Sequence, residues 1–308
     1  MIKRYKIKDR QVTPVEAETP DIWVVINPND DEKKWLVDNF ALDEHNFASA
    51  FDPEEPARME LEPDHLAMIF KRPKNYSSKD HFLFKVSSMG LFLFKDKLIL
   101  AMSEDINMFS GKYFKQVSGI REVFLKLIYN SIFHFMEHLK VINMIAEELE
   151  NKINASMENK HLLNLFTLEK SLVYYLNATN ANSYAIDRLK HSAEKAGFSV
   201  RSQEFLDDII IENNQCMRQA EIYSNILAGL MDARASIVSN NLNVMMKNLN
   251  AVVIAIAVPS FFAGVGGMSE LTTITGIADH RIAYPIFVLL MSCIGVAVYW
   301  IIKRVEKY

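Results

Sequence analysis

Between Lys247 and Glu270 the chain carries no charge: Asn248 to Ser269 is a run of 22 uncharged residues. A helix needs about 20 predominantly apolar residues to cross the core of a bilayer, so this run constrains the fold more than any other stretch. Upstream the sequence is polar and helical in pattern, with no proline between Gly119 and Asn248. One helix is therefore expected to pass from water into lipid without a break. Asn240, Asn241, Asn243, Asn248 and Asn250 gather at its mouth. Pro259 falls mid-span, where a neighbouring helix must cover the carbonyl that proline frees. The run closes on Gly264-Val265-Gly266-Gly267-Met268-Ser269. A simple anchor has no use for that pattern; a pore helix does.

A second uncharged segment, Ala283 to Ile302, is long enough to cross back. It carries Tyr284-Pro285 at one end and Tyr299-Trp300 at the other, side chains suited to a membrane interface. Lys303, Arg304 and Lys307 follow it and Lys247 precedes the first span. The positive-inside rule then predicts both termini in the cytosol and an outer loop over 266–282. The N-terminal MIKRYKIKDRQ has no apolar core of a signal peptide, and the first domain is expected to stay on the side of synthesis.

The remainder reads as a polar body. Formal net charge is −4, which gives nucleic acid no basic surface to bind. Cys216 and Cys293 are far apart and predict neither a disulfide framework nor a zinc knuckle. Ile22–Ile26, Leu66–Phe70, Phe82–Val86, Leu91–Phe94 and Leu98–Met102 read as strands, with Gly90 at a turn. Asp30 or Asp31 is expected to cap a helix through Phe40, and a second short helix begins at Phe47 to Phe51. From Gly119 onward, apolar residues at Ile120, Phe124, Leu127, Ile128, Phe135, Leu139 and Ile142 mark a helix face. A second helix is expected from about His161 to Ala196, stopped by Gly197, and a third from near Ser202. Unbroken to Val265, the third would be on the order of 90 Å long. The expected division is a cytosolic α/β domain over 1–115, a helical stalk over 116–247 and a transmembrane domain over 248–308, with helices near 248–265 and 283–302.

The first span resembles that of the CorA-type metal-ion transporters, whose pore helix ends in Gly-Met-Asn. Met246-Lys247, Pro259, Ala263-Gly264 and Gly267-Met268 carry the likeness. The chain departs from it at Ser269, where the family has asparagine, and at Gly266, where it has an aromatic residue. Asn27-Pro28 and the segment from Asp52-Pro53 to Glu60 also fall where the family's cytosolic domain has similar segments. Where that family often carries an acidic, metal-sensing pair, this chain has Ala48-Ser49. The resemblance implies an α+β cytosolic domain with long stalk helices and a two-helix transmembrane domain, assembled as a funnel-shaped homopentamer in the cell (inner) membrane. It implies passage of a divalent cation, Mg²⁺ first, with no organic cofactor and no catalysis. Zn²⁺, Co²⁺, Ni²⁺ or monovalent ions as cargo, and a non-transporting membrane-anchored scaffold, remain as alternatives.

Pore residues follow from helical spacing. Asn243, Met246, Asn250, Val253, Ala257, Ser260 and Gly264 recur at three- and four-residue steps and share one side of a helix. Asn243 is expected as a polar ring at the cytosolic mouth, with Met246 and Leu249 as an apolar constriction able to gate by dewetting. By the resemblance, Gly267-Met268-Ser269 stands at the outer selectivity ring, and Glu270 and Asp279 in the loop are placed to recruit cations. One competing motif is present. His134, Glu137 and His138 spell H-x-x-E-H, an inverted zincin pattern. It lies on a stalk helix and has no third ligand in view.

Overall fold

The computed structural model describes residues 1–16, 19–77, 80–155, 159–265, 276 and 280–305. Seven strands form one sheet: β1 (Ile2–Lys8), β2 (Gln11–Pro14), β3 (Ile22–Ile26), β4 (Arg58–Leu61), β5 (His65–Pro73), β6 (Val86–Phe94) and β7 (Leu98–Met102). Their order is β2-β1-β3-β7-β6-β5-β4, with β3 and β7 parallel and every other neighbouring pair antiparallel. Helices α1 (Asp30–Phe40) and α2 (Glu44–Ser49) lie between β3 and β4 in sequence. After a 3-10 turn at Lys112–Phe114 come α3 (Ile120–Ala155), α4 (Asn159–Ser192), α5 (Val200–Val265) and α6 (His280–Val305).

β3 and β7 are apolar along their whole length, and β5 and β6 over Leu66–Phe70 and Met89–Phe94, because both faces of the sheet are covered there. On one face Leu66, Met68, Phe70, Leu91, Leu93 and Leu100 pack into a core with Phe124, Leu127, Phe135, Leu168 and Leu172 of α3 and α4. On the other, Val25, Ala67, Ile69, Phe92 and Ile99 pack with Leu36 of α1 and Phe47 and Ala50 of α2. Gly90 belongs to this second face. It sits in the middle of β6, paired to Ile69 and Ala101, and not at a turn. A Cβ there would stand 2.6 Å from Cβ of Ala50, so glycine is what lets α2 lie against the sheet.

Other local expectations shift in instructive ways. The cap of α1 is Asn29, not Asp30 or Asp31: its side chain accepts from Glu32 N while Glu32 Oε2 accepts from Asn29 N. Asp43 caps α2 by accepting from Asn46 N, so that helix starts earlier and stops at Ser49. Phe82 to Lys85 are not a strand. His81 and Phe82 have positive φ, and Phe84 N donates to Ser171 Oγ on α4 at 3.0 Å, so the chain bends here before β6 begins. Helix α4 stops at Ser192, and Gly197 closes the following turn at φ +75°, with Arg121 Nη2 3.3 Å from where a Cβ would stand.

Strand β4 is short and ends where Arg58 pairs Ile69. Beyond it, the main chain of β5 at Lys71 has no strand beside it on that edge. Asn182 of α4 supplies both missing partners: Lys71 N donates to Asn182 Oδ1 at 2.8 Å, and Asn182 Nδ2 donates to Lys71 O at 2.9 Å. The Asn182 side chain is fully buried. One amide group thus takes the place of a neighbouring strand.

The chain divides into two compact units, Met1–Met231 and Asp232–Tyr308. Helix α5 is a single element of 66 residues, about 100 Å long at 1.5 Å per residue.

Candidate ion pathway

Within the second unit, α5 and α6 are both long and apolar enough to cross a membrane. They run antiparallel, and two contacts fix the register. Lys303 Nζ donates to Asn248 Oδ1 at 3.0 Å. At Gly295, a Cβ would stand 3.1 Å from Ala255 O and 3.4 Å from Pro259 Cγ. Ala255 is the residue four before Pro259, so its carbonyl is the one proline leaves without an intrahelical donor. Gly295 lets α6 close over that spot.

The faces of α5 then separate. Ala251 is buried, and Ala255, Val258, Pro259 and Ala263 are partly covered. These small residues recur at helical spacing and mark the side toward α6. Asn243, Met246, Asn250, Val253, Ala257, Ser260 and Gly264 are all exposed. By helical periodicity they lie on the side turned away from the Ala251–Pro259 face. Leu249 is exposed next to that stripe. Ser260 Oγ donates to Ile256 O at 2.8 Å, which occupies its proton and leaves its oxygen as an acceptor.

Large apolar side chains also stand exposed along the pair, among them Ile254, Ile256, Phe261, Phe262, Leu289, Val296 and Ile301. A continuous surface of this kind is suited to lipid, not to water. At the Lys303 end, Arg304 lies over the Trp300 ring at 5.8 Å, a basic and aromatic pairing suited to the interface. Gly267, Met268, Ser269, Glu270 and Asp279 lie outside the described residues.

The other sequence motifs fall in the first unit. His134 and His138 share a face of α3 with ring centroids 4.3 Å apart. Burial holds both at about 4; Arg72 adds to the effect at His134, and His134 and Arg72 add to it at His138. His138 Nδ1 is 2.6 Å from Tyr175 OH, while Glu137 is exposed. Among the described residues no group of three His, Cys, Asp or Glu side chains could hold a metal ion. The Ala48-Ser49 position is buried at the serine, whose hydroxyl donates to His45 O and accepts from Arg58.

The family model described as "CorA-like Mg2+ transporter protein" matches residues 22–304. The chain belongs to this family. It is therefore a divalent-cation transport protein of the membrane and not an enzyme. It is similar to the cobalt/magnesium transport protein CorA of Methanocaldococcus jannaschii, 25% identical over 263 residues that cover 80% of each chain. The complete structure of that organism's CorA magnesium transporter superposes with a TM-score of 0.79 at 19% identity, covering 99% of this chain and 98% of the other. The full-length CmaX protein superposes at 0.73 with 14% identity, covering 99% and 97%. The expected fold class holds: a soluble α+β domain, long helices and two apolar helices at the C-terminal end.

Sequence reasoning placed Asn248 at the mouth and counted Lys303 for topology, yet it did not pair them. It passed over Gly295 altogether. A lone glycine in an apolar span carries no periodic signal, and its role shows only when the neighbouring helix is in place.

Proposed function

We propose that five copies of this chain surround a central pore that passes a hydrated divalent cation, Mg²⁺ first, down its electrochemical gradient through the cell (inner) membrane. The observation that carries this is the exposed stripe from Asn243 to Gly264, turned away from the side of α5 that α6 covers. In a ring of such helices that stripe is free to face an axis, while the apolar flanks meet lipid or the next copy. The fold shared with the Methanocaldococcus magnesium transporter supports a funnel-shaped assembly, and the basic residues Lys247, Lys303 and Arg304 beside the two spans support cytosolic termini.

The stripe suits a cation that keeps its water. Mg²⁺ dehydrates reluctantly, and water bound to a cation turns its hydrogens outward. Such a shell needs acceptors on the wall. Asn243 and Asn250 offer amide oxygens, and Ser260 offers an oxygen whose own proton is engaged. Met246 and Leu249 stand between the two asparagines and supply a constriction that closes by losing water. At the outer end Ser269 takes the family's asparagine position, with Glu270 and Asp279 drawing cations from outside. A doubly charged ion gains about 4.6 kcal/mol per 100 mV of membrane potential, so inward flux needs no other energy source.

The test is flux into liposomes loaded with an ion-sensitive dye, run with Mg²⁺, Zn²⁺, Co²⁺ and Na⁺ under an imposed potential. Saturable Mg²⁺ entry that exceeds Na⁺ entry is the expected result. Equal passage of all four, or none, would remove the assignment.

A further inference from the structure

Helix α6 turns one side to α5 and leaves the other bare. Met291, Ile294, Gly295, Val298 and Ile302 are partly covered and mark the α5 side. On the opposite side Leu289, Cys293, Val296, Ala297, Trp300 and Ile301 line a groove of about 520 Å³. Small side chains at Ser292, Cys293 and Ala297 leave the hollow between their larger neighbours. The Ser292 hydroxyl donates to Val288 O at 2.8 Å, so the groove asks for no polar partner along its length.

Its length and its end say what fits. From Leu289 to Trp300 the helix rises about 16 Å at 1.5 Å per residue, close to half of a hydrocarbon core about 30 Å thick. The groove is therefore about as long as one leaflet is deep. Arg304 follows Trp300 by four residues and stands on the same face. Its guanidinium lies over the Trp300 ring at 5.8 Å. One ring thus ends the groove and seats a cation beyond it. Arg304 is exposed, and among the described residues no carboxylate pairs with it. Lys303 beside it is turned to Asn248.

A second copy could cover an apolar face, but its spanning helices could not answer this charge: residues 233–265 and 280–305 contain no Asp or Glu. The anion has to come from the surroundings. At the end of an apolar groove one leaflet long, the surroundings supply a lipid phosphate.

We infer that this groove holds an acyl chain of an anionic phospholipid whose phosphate rests on Arg304. A guanidinium presents paired N–H donors that match two phosphate oxygens, and the acyl chain covers the apolar groove below them. Phosphatidylcholine carries the same phosphate, but its choline cation comes beside Arg304 and Lys303 and offsets the gain. Occupancy of this site is read without transport, so its test and the test of the ion pathway fail separately.

Quenching of Trp300 emission by lipids brominated in the acyl chain tests it, with the full-length protein in phosphatidylcholine vesicles. Trp300→Phe gives the emission of Trp23 and Trp35, which is subtracted. Brominated phosphatidylglycerol should reach half-maximal quenching at about fivefold lower mole fraction than brominated phosphatidylcholine. Unbrominated phosphatidylglycerol should relieve that quenching by competition. Arg304→Gln should bring the two lipids level. Ala297→Phe fills the groove with Arg304 in place and should also remove the preference, which a diffuse attraction of anionic lipid to basic residues would not do. If a variant fails to insert, the competition in the parent decides. Equal quenching by the two lipids, a preference unchanged in an inserted Arg304→Gln or Ala297→Phe, or quenching by neither because a second copy covers the groove, overturns the proposal.

Discussion

Ser260 gives its proton to its own helix, so what it could offer an ion in the proposed pore is an oxygen and nothing else. Ser269 lies outside the described residues. If it holds the family's asparagine position, Ser269→Asn should sharpen discrimination for Mg²⁺ over monovalent ions, and Ser269→Ala should weaken apparent affinity by removing an acceptor. Competition flux assays in liposomes read both, and assembly should be unchanged. At the proposed constriction, Met246→Ser should raise basal leak about tenfold, equivalent to about 1.4 kcal/mol off a dewetting barrier. Dye-loaded liposomes without an imposed gradient of regulator would show it. In the soluble unit, His134 and His138 are held at about 4, against an unfolded value near 6.5. The unfolded chain therefore takes up protons first. Stability is fully present above about pH 6.5 and declines as pH falls toward 4, by at most about 1.4 kcal/mol per pH unit for each histidine and less because both are part exposed. Urea midpoints at pH 5 and pH 7 should differ in that sense, and His134→Gln should reduce the difference.

Helix α5 was readable because nothing in the sequence stops it: no proline lies between Val200 and Pro259, and Gly229 lies in open space on the helix. The Leu66–Phe70 run of β5 and the whole of β7 were readable because burial on both faces leaves them apolar. β1 and β2 were not, since lysines and arginine alternate through a half-exposed pair that looks like a polar tail. Gly90 shows the same limit from another side. In sequence a glycine marks a turn or a close approach alike, and only the position of Ala50 decides between them. Gly295 follows this rule at the α5–α6 contact. Gly295→Ala should loosen that contact slightly and Gly295→Leu should cost about 1–3 kcal/mol by overpacking, both readable as detergent-resistance of the folded protein. The loss should grow with side-chain size, because the listening surface is a rigid backbone carbonyl and a proline ring. Asn182→Leu makes a parallel case in the soluble unit. It leaves an N–H and a C=O of Lys71 buried without partners, at roughly 1–3 kcal/mol each, and a lowered urea midpoint with transport retained in the surviving fraction is the expected outcome.

At the level of the whole molecule, the stripe on α5 makes sense only in company. Native mass measurement in mild detergent should give five chains; a monomer as the sole species would leave the stripe without a pore to line. The Asn182 contact carries a different consequence, for how the chain is made. β5 is nine residues long and buried throughout, yet the group that closes its edge at Lys71 lies 111 residues further along. Synthesis delivers the strands first and their edge partner much later. At about 5–20 residues per second, several seconds pass in which a nascent sheet exposes an apolar strand with open main-chain groups. That interval is the window in which neighbouring nascent chains can pair edge to edge, and slowing translation between β5 and α4 should increase the aggregated fraction before any membrane helix has been made.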